Sequence, residues 1–456
     1  MNKIIFYIFF IFCFSSILFA QGKVHSRSIE IQVKSGRPLP LNTKSSSNVD
    51  ELKKDASKII RLNLSNSNLN EIPQTISSFV NLEFLDLSNN KISSLPSELW
   101  TLKNLKVLNL SNNKFKSIPR EISVLKNLEN LDLSNNQLNE LPEEIVYLRK
   151  LNTLKLSGNN ISRMPENTHL LNYLKHLNLS DNNLTAIPES IFKIRSLEIL
   201  ILNHNRITEL PVKIQMLKGL KILNLNDNKL YKLPKTINSL TLLRSLDLGN
   251  NNLSTLPPEI SGLRSLIYLK LDYNSISYIP ESITNLHNLQ TLDFNFNNSI
   301  SFPEEIFAIS NLLTLYIRGN KLRQIPSSIA GLTNLVNLDA AMNELNQFST
   351  DICTLSKLMN LNLSNNRISS IPQEIANLQQ LQVLNLENNY LNSIPNEITF
   401  LKNLQYLILN QNRISRLPSD INKLTNLKLL QLRQNNVSDA EKIKAKQLLW
   451  QTKFVY

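Results

Sequence analysis

Asp181, His204 and Asp227 lie 23 residues apart in succession, and a chain that repeats at that interval sets them side by side. An imidazole between two carboxylates can ligate zinc, although this set lacks a fourth ligand and any Cys, and a solvated polar row competes with the metal reading. A larger group sits at related offsets: Tyr268, Asp272, Tyr273, Asp293, Phe296, Tyr316, Arg318, Asp339 and Met342. Aromatic residues, Arg and Met are the types enriched in the centres of protein interfaces, so this group is the candidate protein-binding patch, with repeat drift as the alternative. Ile199, Ile201 and Ile222 beside His176 and His204 make a smaller apolar set. Catalytic arrangements are absent from the sequence: there is no phosphate-cradling Gly-rich loop, no nucleophile elbow and no metalloprotease helix. Cys353 reads as a semi-buried, inert thiol. The chain is expected to be no enzyme and to need no cofactor.

What must position these residues is a repeat. From Ile59 to Leu427 the chain takes sixteen steps of 23 residues without an insertion or deletion, giving about seventeen units over 59–437. Taking Leu82 as a start, the pattern is Leu82, Leu85, Leu87, Asn90, Ile92, Leu95, Pro96, Leu99 and Leu102. Leu85 and Leu87 alternate with polar neighbours, which predicts a short strand with one face buried. The Asn90 column closes the turn that follows, its buried amide pairing with backbone groups; Ser67 replaces it in the first unit. Pro96, Glu98 and Leu99 predict a helical first turn with Pro at its first position. A lone unit of 23 residues cannot bury enough apolar surface to offset its ordering, so units must stack. The expected fold is an α/β solenoid, a curved horseshoe with parallel strands on the concave side and short helical segments on the convex side.

Strand geometry then turns the sequence into a surface map, on which positions equivalent to 84, 86, 88 and 89 face the concavity. Early units carry Asp86, Ser88, Asn109, Ser111, Asp132 and Ser134 there. The tenth to thirteenth units carry the aromatic, Arg and Met group instead. The scaffold is irregular in the same units: Phe294 and Ala340 take core Leu positions, Ser299 an apolar one, and Ser349 the Pro position, with Phe348 placed to fill the gap left by Ala340.

The 456 residues carry a formal charge of +13, but Lys and Arg are interleaved with Glu and no nucleic-acid module is present, so a solvated face is expected rather than a nucleic-acid partner. Residues 1–20 have the layout of a signal peptide: Lys3, an apolar run from Ile4 to Phe14, and Leu18-Phe19-Ala20 before the cleavage point. An uncleaved anchor and a lipoprotein attached through Cys13 are the alternatives. No later segment is apolar enough to stay in a membrane after cleavage. Residues 21–47 read as a flexible linker and 48–58 as a capping helix with Asn48 at its N-cap. At the other end, 438–456 reads as a cap: Ser438 opens a helix in which Ala440, Ile443, Leu448 and Leu449 cover the last unit, and Lys453–Tyr456 forms a short strand.

These motifs carry a resemblance. The repeat resembles the leucine-rich-repeat superfamily over about 400 residues, and its LPxEI form is similar to the SHOC-2-like and plant resistance-protein type. The ending, from Asn436-Val437-Ser438-Asp439 through Leu448-Leu449 to Lys453-Phe454, looks like that of the secreted leucine-rich-repeat proteins of leptospires. The resemblance implies a secreted or surface protein, an adhesion role, and a protein partner such as a host cell-surface or matrix protein. A cell-envelope or glycan-binding role is the alternative. The cysteine-rich caps of animal extracellular relatives are missing. Oligomeric state is not encoded in any of these features.

Overall fold

The computed structural model describes residues 31–33, 52–297 and 303–456. The expected signal peptide, Cys13, most of the expected linker, Asn48 and Ser299 lie outside these residues.

Each unit contributes a strand of three residues, from Phe84–Asp86 in the second unit to Leu429–Gln431 in the seventeenth; the first unit's strand, Ile59–Asn63, is longer. Neighbouring strands pair in parallel in constant register, Leu85 opposite Leu108 and Leu246 opposite Leu269. The alternating pattern is realised directly: Leu85 is buried while Phe84 and Asp86 are half exposed. Lys453–Val455 adds a last parallel strand, and Ile31–Val33, inside the segment read as linker, pairs antiparallel with Ile59–Asn63. The result is one open, curved parallel sheet whose inner face is the concave side of a solenoid.

The Asn column holds the stack together. Asn113 Nδ2 donates to the carbonyls of Leu110 in its own unit (3.1 Å) and Leu87 in the one before (2.9 Å), and its Oδ1 accepts from Ile92 N (3.0 Å). One buried amide thus satisfies three backbone groups across two units, which explains why every unit after the first keeps Asn in this column.

The outer side differs from the expected helical turn. Its elements are 3₁₀ segments, mostly of five residues such as Ser97–Thr101 and of three at Thr168–Leu170 and Ile421–Lys423, and Pro96 is the extended residue before its segment, not its first helical position. Five residues cannot close enough i to i−4 bonds for an α-helix, and the tighter i to i−3 bond suffices. Ser349, in the Pro column, instead caps its segment by accepting from Asp351 N at 3.2 Å. Phe294, Ala340 and Phe348 are all buried, so the irregular units keep a closed core.

The C-terminal cap is the α-helix Asp439–Leu448, with Ser438 Oγ accepting from Glu441 N at 3.3 Å. Its buried side is Ala445 and Leu449, with Leu448 packed against the core. Ala440 and Ile443, expected to cover the last unit, are exposed, because the helix turns inward the face that carries Ala445, Leu448 and Leu449. At the N-terminal end a 3₁₀ segment, Leu52–Lys58, stands where a capping helix over 48–58 was expected.

Candidate functional site

Two columns at the C-terminal ends of the strands decide what the concave face can offer. In the first, an Asp or Asn side chain turns back on its own backbone: Asp86 Oδ1 accepts from Ser88 N at 2.8 Å and Asp132 Oδ1 from Ser134 N at 3.0 Å. Ser88, Ser111, Ser134 and Ser180 are buried, so in regular units the column at 88 is structural and not the solvent-facing surface expected from strand alternation. The second column is left-handed throughout. From Asn66 and Asn89 to Gln411 and Gln434, every unit has φ between 50° and 68° at this position. Asn, Asp and Gly tolerate that backbone; larger residues lack the local compensation and cost roughly 1–2 kcal/mol each.

Tyr273, Phe296 and Met342 occupy this column with φ of 50°, 54° and 53°. Their backbones are held by the neighbouring unit, Tyr273 N donating to Asn295 O at 2.9 Å and Phe296 N to Arg318 O at 2.7 Å. The Tyr273 and Phe296 rings stack at 4.5 Å between centroids and 14° between planes. Gly319, also left-handed, leaves the room that the Phe296 ring needs, since a Cβ there would fall 2.2 Å from it. Arg318 directs Nε and an Nη onto Met342 Sδ at 3.2 and 3.1 Å. Tyr273 and Met342 remain 53% and 43% exposed, an unusual state for such side chains on a strained backbone.

Beside this rim lies an acidic floor. Strand register places Asp247, Lys270, Asp293, Tyr316 and Asp339 in one row. Lys270 Nζ stands 3.9 Å from Asp247 and 3.6 Å from Asp272, so one ammonium faces several carboxylates. Asp272 Oδ1 is enclosed without a hydrogen bond, and Gly249 makes room for it: a Cβ there would lie 2.2 Å away. Burial, reinforced by Asp272, pushes Asp293 up to about 7. Burial also raises Asp247, Asp272 and Asp339. Asp293 and Asp339 cap Asn295 N (3.1 Å) and Ala341 N (2.9 Å), which gives them a structural duty that sequence spacing could not reveal. Tyr268 is half-buried at the strand's start, and its hydroxyl is pushed upward by burial and by Asp247.

The remaining candidates come together less well. His204 Nδ1 and Asp227 Oδ2 approach to 2.5 Å, and the other Asp227 oxygen accepts from Asn250 at 2.9 Å. Among the described residues no group of three or more His, Cys, Asp or Glu side chains could hold a metal ion, so Asp181, His204 and Asp227 do not assemble as a zinc site. His176 neighbours Ile199 across the sheet, and burial pulls its imidazole below the usual range. Cys353 is buried and its thiol is pushed up to about 12 by burial, with Glu374 and Asp351 adding to the shift. Such a thiol is a poor nucleophile.

The family model described as a leucine-rich repeat region matches residues 97–174, 213–299 and 342–451, more than half of the chain. The chain belongs to the leucine-rich-repeat family. Its fold is shared with a leucine-rich-repeat protein of Leptospira interrogans, 34% identical, covering 91% of this chain and all of that one with a TM-score of 0.78. The Toll–Spatzle complex of Drosophila matches at 26% identity and TM-score 0.69 over 84% of this chain and 56% of that chain. A plant peptide hormone receptor, RGFR1, in complex with RGF2 matches at 29% identity and TM-score 0.60, covering 89% of this chain and 64% of that one. No curated protein matches the sequence. Leucine-rich-repeat proteins are generally non-catalytic scaffolds for protein interaction, and among the described residues no helix is long and apolar enough to cross a membrane.

Proposed function

We propose that this leucine-rich-repeat protein is an exported, non-catalytic scaffold that captures a protein, such as a host cell-surface or matrix protein, on the concave face of its tenth to thirteenth units. One observation carries the reading: Tyr273 and Met342 sit exposed, with Phe296 half-buried between them, in a left-handed column that elsewhere takes mostly Asn, Asp, Gly or Gln. Drift under stability alone favours the residues that suit the backbone, whereas strained, solvent-facing aromatics persist where they are used. The partners named for two structural neighbours, Spatzle and RGF2, support a protein ligand as the class. Export rests on the layout of residues 1–20.

The full chain and a variant with Tyr273→Ser, Phe296→Ser and Tyr316→Ser, matched for melting temperature, are used as bait for proteins from the cell's surroundings. Partners retained by the first and lost by the second are the expected result. Equal retention, or release of the partner by free saccharides, contradicts a protein-binding patch. Protease treatment of intact cells checks export: a chain cleaved without lysis is outside the inner membrane, and protection until the cytoplasm is opened rejects the leader.

A further inference from the structure

The opposite edge of the sheet changes composition in the same units. The residue just before each strand is charged or polar in the early repeats, as Glu83, Lys106, Glu129, Lys175, Glu198, Lys221 and Arg244, and these residues pair across units: Lys106 with Glu83 at 3.0 Å, Glu198 with Lys175 at 3.1 Å and with Lys221 at 2.6 Å. From the tenth unit the column reads Ile267, Gln290, Leu313, Val336 and Met359, with Leu313 39% exposed and the others half-buried. A ladder of ion pairs gives way to an uncharged edge, apolar but for Gln290, at the point where Tyr273, Phe296 and Met342 make the other edge apolar. The two edges are six residues apart along the chain, on either side of the three-residue strand, as Ile267 and Tyr273 flank Tyr268–Lys270. Between them lies the floor of Asp247, Asp272 and Asp293 around Lys270, negative within a chain of +13.

We propose that this face receives an extended protein segment that crosses from edge to edge, setting a Lys or Arg side chain on the Asp272 and Asp293 carboxylates and apolar side chains on the two rims. The inference rests on the protein-binding reading above and specifies its partner. Charge complementarity selects the occupant. Lys270, 3.9 Å from Asp247 and 3.6 Å from the enclosed Asp272 Oδ1, is one cation for three carboxylates, and the charge it leaves uncompensated attracts a further cation. The stacked Tyr273 and Phe296 rings offer a π face to the same cation, as Phe84 and Tyr390 do to Arg61 at 3.9 Å and Arg413 at 4.8 Å within the chain. An acidic or wholly apolar segment would bury the carboxylates further with Lys270 as their single cation.

A phage-displayed library of random linear peptides, panned on the full chain, supplies the probe. Enriched peptides are expected to carry Lys or Arg between apolar residues. A synthetic peptide of the enriched sequence should lose at least tenfold in affinity when its basic residue is replaced by Gln, and similarly on the double variant Asp272→Asn with Asp293→Asn or on Leu313→Glu. The peptide substitution keeps the test valid even where a protein variant is destabilised. Peptides that bind the Asn double variant undiminished, yet are lost on Tyr273→Ser with Phe296→Ser, overturn the basic-segment inference and leave the aromatic patch standing. Peptides indifferent to both pairs, or a library yielding no binder, overturn both.

Discussion

At the residue scale, the left-handed column sets conformational fit against surface chemistry. Asn suits φ near 53° better than Met does, so Met342→Asn should stabilise the chain by about 0.5–1 kcal/mol in denaturant melts while weakening partner binding; a loss of stability would show that the Arg318–Met342 contact outweighs the backbone strain. Asp293 makes a second test. Folded, it keeps its proton to about 7; unfolded, it is an ordinary carboxylate near 4. The fold therefore favours its protonated form, and the stability it contributes is full below about pH 4 and lost as pH rises through 7. Asn can still accept from Asn295 N, and Asp247, Asp272 and Lys270 still face the site, so Asp293→Asn should melt above the natural chain at about pH 8 and approach it at about pH 5. A gap independent of pH would place the titrating group elsewhere.

At the element scale, each unit is a strand, an Asn-closed turn and a 3₁₀ segment, and each device has its own energetic signature. Asn228→Ala removes donors to Leu202 O and Leu225 O and the acceptor for Ile207 N. Buried backbone groups left unpaired in this way cost about 1–3 kcal/mol each, so a loss of at least about 2 kcal/mol is expected in urea melts. Ser349→Pro should be neutral or stabilising despite losing its cap, because Pro suits the extended φ of −61° and ψ of 129° found there. The sequence revealed the strand, its register and the Asn column because a period of 23 leaves only one alignment of Leu85, Leu87 and Asn90. It hid the 3₁₀ character because Pro96 is compatible with either the position before a helix or its first residue. Ile31–Val33 was obscured by the Ser and Pro residues around it, although Ile29, Ile31 and Val33 alternate with polar neighbours.

Over the whole molecule, the solenoid is an almost uniform rack on which one stretch has been altered on both edges and in the floor. The residues of the candidate patch were legible as a change of composition. Their arrangement was not, since the handedness of the backbone at Tyr273, the space left by Gly249 and Gly319, and the capping duty of Asp293 arise only when neighbouring units meet. The same limit explains Asp181, His204 and Asp227: sharing a column brings His204 to Asp227 without making a metal site. Stability in such an array is a sum of units and their interfaces, so a local departure from the best-fitting residue is tolerated if the rest of the stack compensates. The central claim is that this departure serves binding. Its most direct test is to return Tyr273, Phe296 and Met342 together to Asn, the residue their column favours, and to measure unfolding free energy and affinity for a selected peptide on the same preparation. Retained or raised stability with affinity reduced at least tenfold is the predicted result; undiminished affinity would contradict it.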